Sequence, residues 1–67
     1  MKIFSERLKE LRQENNISLK ALSKALGVSD IAISRWENGL RTPNIEYLLA
    51  IAKFFGVSSD YLIGLED

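Results

Sequence analysis

The chain has 67 residues, 46% hydrophobic and 27% charged, with no Cys, no His and a formal net charge of zero. Without Cys there is no disulfide scaffold or thiolate metal site, and without His the usual zinc ligand and the commonest general base are missing. This length suits a single domain over residues 1–67, since smaller pieces would not each bury a core. No apolar run reaches the roughly 18 residues of a membrane span, and the early charges Lys2, Glu6 and Arg7 argue against a secretory signal. The expectation is a soluble, cytoplasmic domain with no cofactor, no membrane attachment and no evident small-molecule substrate.

The neutral total hides an asymmetry. Residues 1–41 hold eight Lys/Arg against five Asp/Glu, and residues 42–67 hold one Lys against four Asp/Glu. A basic face set off from an acidic remainder is one way to meet a polyanion, although solvated helix faces also produce such a split.

In chain order, the spacing predicts five helices and no strand. The first runs from about Phe4 to Asn15, with Phe4, Leu8 and Leu11 on one face. Asn15-Asn16 ends it, Asn being tolerant of a left-handed backbone. Ser18 is placed to N-cap a second helix, with Ile17 as its hydrophobic staple and Leu19, Leu22, Ala25 and Leu26 as its buried stripe. Gly27 suits the left-handed position after that helix. Ser29 caps a third helix, Asp30 to Asn38, which buries Ile33 and Trp36 and stops at Gly39.

The residue before Pro43 resists helical backbone, so Leu40 to Pro43 reads as a loop. Asn44 caps the fourth helix, Ile45 to about Phe55. Ile45, Leu48, Leu49, Ala52 and Phe55 lie on one side of it, and Tyr47, Ile51 and Phe54 on another. A helix so widely apolar is either central or half of an interface. After Gly56, Ser58 caps a last short helix that runs through Ile63 and closes at Gly64. Short helices on short connections make a small bundle rather than a coiled coil. Trp36 and the three Phe are expected in its core.

The most informative stretch is Leu19 to Asn38, two short helices around a Gly-containing turn. Leu22, Leu26, Val28, Ile33 and Trp36 pack them together, and Ser23 lies at the close approach, where a small side chain is needed. The second of the two helices then projects an outward face, the geometry that enters a DNA major groove.

This stretch resembles the helix-turn-helix domains of the lambda repressor and Cro type, the XRE family. The likeness rests on residues 17–29 (Ile-Ser-Leu-Lys-Ala-Leu-Ser-Lys-Ala-Leu-Gly-Val-Ser) and 33–39 (Ile-Ser-Arg-Trp-Glu-Asn-Gly). Pro43 and Phe55-Gly56-Val57-Ser58 extend it over essentially the whole chain. It implies an all-α, five-helix fold. There are two departures. Leu19 stands where the family often has a phosphate-binding Gln, and Ser23 where it usually has Ala.

The resemblance implies that Ser29, Asp30, Ile31, Ser34 and Arg35 read base edges. The chemistry agrees: an Arg pairs bidentately with guanine, a carboxylate accepts from cytosine N4, and an apolar side chain packs on a thymine methyl. The alternatives are that Asp30 only favours its helix N-terminus and that Arg35 is a solvated surface residue. Phosphate contacts fall to Lys20, Lys24, Asn38 and Arg41, with the N–H groups at the helix starts near Ser18 and Asn44. Glu37 matches a position that pairs with an Arg of the first helix, here Arg12, as a structural ion pair.

These features favour a sequence-specific regulator of transcription, a repressor acting as a two-fold dimer on a pseudo-palindrome in double-stranded DNA. Tyr47, Phe54, Tyr61, Leu62, Ile63 and Leu65 are the candidate dimer surface. The competing reading is a protein-interaction module of antitoxin-like type that keeps the fold. An enzyme is disfavoured, since no nucleophile stands beside a base at a recognisable spacing.

Overall fold

Every helix in the chain stops by the same local device. In a computed structural model describing residues 2–67, the helices are α1 (Lys2–Glu14), α2 (Leu19–Leu26), α3 (Asp30–Glu37), α4 (Ile45–Phe55) and α5 (Ser59–Ile63). Each ends on a left-handed residue: Asn16, Gly27, Gly39, Gly56 or Gly64. The next residue then donates its N–H back to the last turn, as Ile17 does to the Arg12 carbonyl, Val28 to Ser23 and Leu40 to Arg35. This is the Schellman arrangement, which satisfies carbonyls that the helix leaves open.

The starts are equally regular. Ser18, Ser29, Asn44 and Ser58 each accept, on the side-chain oxygen, the N–H three residues ahead. Such a cap contributes about 1 kcal/mol over Ala. Together the caps and stops fix where the chain turns, leaving side-chain burial to decide how the helices pack.

The core is formed by Phe4, Leu8, Leu11, Leu22, Ile33, Trp36, Leu48, Ile51, Ala52 and Leu62. α1 packs against α3 and α5, α2 against α3 and α4, and α4 against α5. The body measures 28 × 23 × 20 Å. No strand occurs among the described residues, and no helix is long and apolar enough to cross a membrane.

Several expectations from the sequence are corrected. α1 begins at Lys2 and stops at Glu14, and α3 stops at Glu37 with Asn38 as its cap. In α2 the inward arc is Leu19, Leu22, Ser23 and Leu26, so Ser23 is buried and Ala25 faces out. On α4 the buried series is Leu48, Ile51 and Ala52, with Phe55 half-buried, while Ile45, Leu49 and Phe54 are exposed. The reason is geometric: α4 packs on α2 and α5 and has too few neighbours to cover its full circumference. Phe54 is therefore not core.

The candidate dimer surface also shrinks. Leu62 is fully buried at 0% exposure. Tyr47 is half-buried with its ring 5.7 Å from that of Trp36, and Tyr61 lies beneath the Arg7 guanidinium, 4.3 Å from its ring centre. Ile63 is half-buried, which leaves Phe54 and Leu65 as the exposed members.

Candidate nucleic-acid interface

The turn between α2 and α3 sets the position of the candidate site. Gly27 has φ +71°, and a Cβ built there would meet nothing within 4 Å. Its glycine requirement is therefore a matter of backbone conformation alone. Gly27 and Val28 both donate their N–H groups to the Ser23 carbonyl, at 2.9 and 3.0 Å. The half-buried Val28 packs on the core, and Ser29 then opens α3.

α3 is anchored from one side only. Ile33 and Trp36 are buried, and Ser5 of α1 donates to the Trp36 carbonyl at 2.6 Å. On a helix of 3.6 residues per turn, positions 30, 31, 34, 35 and 38 fall within an arc of about 140° opposite those anchors. Asp30, Ile31, Arg35 and Asn38 are exposed on that arc, Ile31 at 62%, and Ser34 is half-buried. Ser29 is exposed at the helix start, where its Oγ accepts from the Ala32 N–H at 3.1 Å and keeps its own hydrogen to donate. Asn38 is partly committed, since its Nδ2 donates to the Ser34 carbonyl at 2.8 Å.

The expected phosphate-binding residues lie on or just before α2, at the end of α3 and in the loop that leads to α4. Lys20, Lys24 and Arg41 are exposed, and none of them, nor Arg35, takes part in an ion pair among the described residues. Ser18 and Asn44 each satisfy one N–H of their own helices. The N–H groups of Leu19, Lys20, Ile45 and Glu46 lie in the first turns, where no intrahelical acceptor exists. Glu46 adds a carboxylate to the start of α4, which opposes an anion there. Arg35, Arg41, Asn44 and Tyr47 meet at one open cleft of about 440 Å³, lined also by Trp36 and Pro43.

Arg12 and Glu37 form the one ion pair among the described residues. The guanidinium donates twice to the carboxylate, Nε to Oε2 at 2.6 Å and Nη2 to Oε1 at 3.1 Å, and Nη1 donates to the Ile17 carbonyl at 3.0 Å. The hydrogen bond to Glu37 raises the Arg12 pKa above its ordinary value, outweighing the opposing effect of partial burial. Glu37 has a side chain only 6% exposed, so its charge is neutralised inside the protein and is not presented outward.

Two features escaped the sequence. One is the cleft between α3 and the start of α4, which needs the tertiary fold to exist at all. The other is Ser23, expected only to fill a small space. Its hydroxyl reaches Asp30 Oδ1 at 2.6 Å, linking the buried side of α2 to the exposed start of α3. The departure from Ala at this position was the available signal.

A family profile described as "Helix-turn-helix" matches residues 8–62. The chain is 44% identical over 64 residues to the HTH-type transcriptional activator BcrR of Enterococcus faecalis, covering 96% of this chain and 31% of that protein. It is 43% identical over 61 residues to repressor protein C2 of Salmonella phage P22, covering 91% of this chain and 28% of the repressor. The chain thus spans about a third of either relative. The crystal structure of the P22 repressor with a synthetic operator superposes with a TM-score of 0.85 at 42% identity, over 92% of this chain and 94% of that one. SinR, a regulator of biofilm formation solved in complex with DNA, gives 0.81 at 30% identity, over 90% and 97%. The fold, the turn geometry and these matches agree: the chain belongs to the helix-turn-helix family of Cro/C1 type, the XRE family.

Proposed function

We propose that this chain is the DNA-binding domain of a sequence-specific transcriptional regulator, with α3 lying in the major groove. The observation that carries the reading is the outward arc of α3, held from behind by Ile33 and Trp36, with Arg35 on it and Arg41 in the loop that follows, neither in an ion pair among the described residues. Arg35 and Ile31 are the base readers, with Ser29, Asp30 and Ser34 beside them. Lys20, Lys24, Asn38 and Arg41, with the helix starts at Ser18 and Asn44, bind phosphates. Binding without catalysis is the activity assigned, and the cytoplasm is the compartment that suits it.

Four cations against two anions over residues 17–41 give a modest electrostatic contribution. A two-fold dimer on half-sites about one helical turn apart makes up the deficit. Phe54 and Leu65 are the exposed apolar residues left for that contact. Repression by occlusion asks least of such a domain, since occupancy of the site suffices.

Selection of bound fragments from a random duplex pool tests the reading. A recovered pseudo-palindromic consensus supports it; binding with no sequence preference at any salt concentration would end it. A second reading, an antitoxin-like protein-interaction module, draws on Ile45 and Leu49, exposed apolar residues one turn apart on α4. It requires that the purified chain bind no duplex until a protein partner is added.

A further inference from the structure

Ser23 is buried, at 5% exposure, and its Oγ stands 2.6 Å from Asp30 Oδ1 and 2.8 Å from the Lys20 carbonyl. A hydroxyl has one hydrogen to give, and the Asp30 carboxylate oxygen is the nearer of the two acceptors. We propose that Ser23 is a positioning residue that sets base preference at the place Asp30 faces, by holding that carboxylate in one orientation; this rests on the DNA-binding reading above. Asp30 is the first residue of α3 and is exposed on its outward arc, with no cation paired to it among the described residues. There a carboxylate is repelled by phosphates and gains only from an N–H donor on a base edge, the exocyclic amino group of cytosine being the match in the major groove. An unrestrained Asp would have to be ordered by that contact alone. With Oδ1 held from behind by Ser23, ordering precedes binding, and one oxygen remains to accept.

The link is separable from folding. When Asp30 is removed, the Ser23 hydroxyl still has the Lys20 carbonyl as acceptor, so no buried donor is orphaned. When Ser23 becomes Ala, the partner that loses its bond is exposed to water. Both variants are therefore expected to keep the fold, and unchanged melting separates an effect on specificity from one on stability.

The experiment compares the intact chain with Ser23→Ala, Asp30→Ala and the double variant, by selection from a random duplex pool and by thermal melting. Ser23→Ala is expected to lower preference at a single base position by about five- to tenfold with other positions unchanged. Asp30→Ala affects that same position, and the double variant matches Asp30→Ala alone. An unchanged preference, an equal loss at every position, or additive losses in the double variant would each overturn the assignment while leaving the DNA-binding reading intact. Absence of any preference in the unmodified chain would remove both. A DNA-free measurement stands beside these: side-chain coupling constants of Asp30 by NMR should report one χ1 rotamer in the parent and averaging in Ser23→Ala. Equal averaging in the two proteins would refute the positioning role.

Discussion

Four arginines divide this small protein into two regions of opposite use. Arg7 and Arg12, on α1, are turned inward upon the protein's own acceptors. Arg7 donates to the carbonyls of Tyr61 and Glu66 while lying over the Tyr61 ring, and Arg12 grips Glu37 and the Ile17 carbonyl. Arg35 and Arg41, at the end of α3 and in the loop after it, are exposed and take part in no ion pair among the described residues. A net charge of zero says nothing about this division. What counts for a polyanion is how many cations remain unneutralised on one face: Asp30 lies on that face, while the charge of Glu37 is neutralised from within.

The sharpest way to break the contrast is to remove an inward arginine. Arg12→Ala leaves Glu37 nearly buried without its partner, which costs about 3 kcal/mol, a large part of the stability of a chain this size. Thermal melting should fall by roughly 12–24 °C. Replacing both partners by apolar residues, Arg12→Met with Glu37→Leu, should recover most of that loss, because no charge is then left buried. If the single and double variants melt alike, the pair is not the structural clamp described here.

Removing an outward arginine should act on the opposite property. Arg35→Ala is expected to weaken binding to the preferred duplex by about 1–3 kcal/mol, relax the consensus at one position and leave the melting temperature unchanged. Arg7→Ala, by contrast, should cost about 1 kcal/mol of stability, through the lost cation–π contact and the carbonyl hydrogen bonds at the end of α5, with no change in base preference. The smallest effect belongs to Arg41→Ala. Affinity for all sequences should drop alike, with the slope of log affinity against log salt reduced by about one. Should Arg41→Ala alter base preference, or Arg35→Ala lower all sequences equally, reader and phosphate anchor have been exchanged.

α3 and α4 extend the contrast from charge to surface chemistry. Both have one buried side and one exposed side. The exposed side of α3 carries Asp30, Ile31 and Arg35, with Asn38 at its cap, a mixed set whose polar members hydrogen-bond directionally, whereas α4 exposes Ile45, Leu49 and Phe54, which gain only by losing contact with water. The first suits the patterned edge of a nucleic acid and the second a protein surface.

Much of the architecture was legible in the sequence because helix ends are local chemistry. Ser18, Ser29, Asn44 and Ser58 cap, and Asn16 with Gly27, Gly39, Gly56 and Gly64 terminate, through bonds that span only a few residues. Buried faces are less legible than helix ends. Ala25 and Leu49 fit a helical stripe yet lie outside, because periodicity names an apolar arc wider than the arc that neighbouring helices cover. The small size of Ser23 is legible in the sequence, but the partner of its hydroxyl lies across the turn.

By itself the sequence determined the order of the helices and most of their caps and stops, which residues are candidates for the core, and the family, since caps, turns and apolar spacing depend on neighbours along the chain. Only the tertiary structure decided which arginines remain unpaired, which apolar residues stay uncovered and which oxygen of Asp30 is engaged. Those outcomes turn on contacts between residues distant in sequence, such as Arg12 with Glu37 and Arg7 with Tyr61, and a charge has no assigned role until the fold brings its partner within reach.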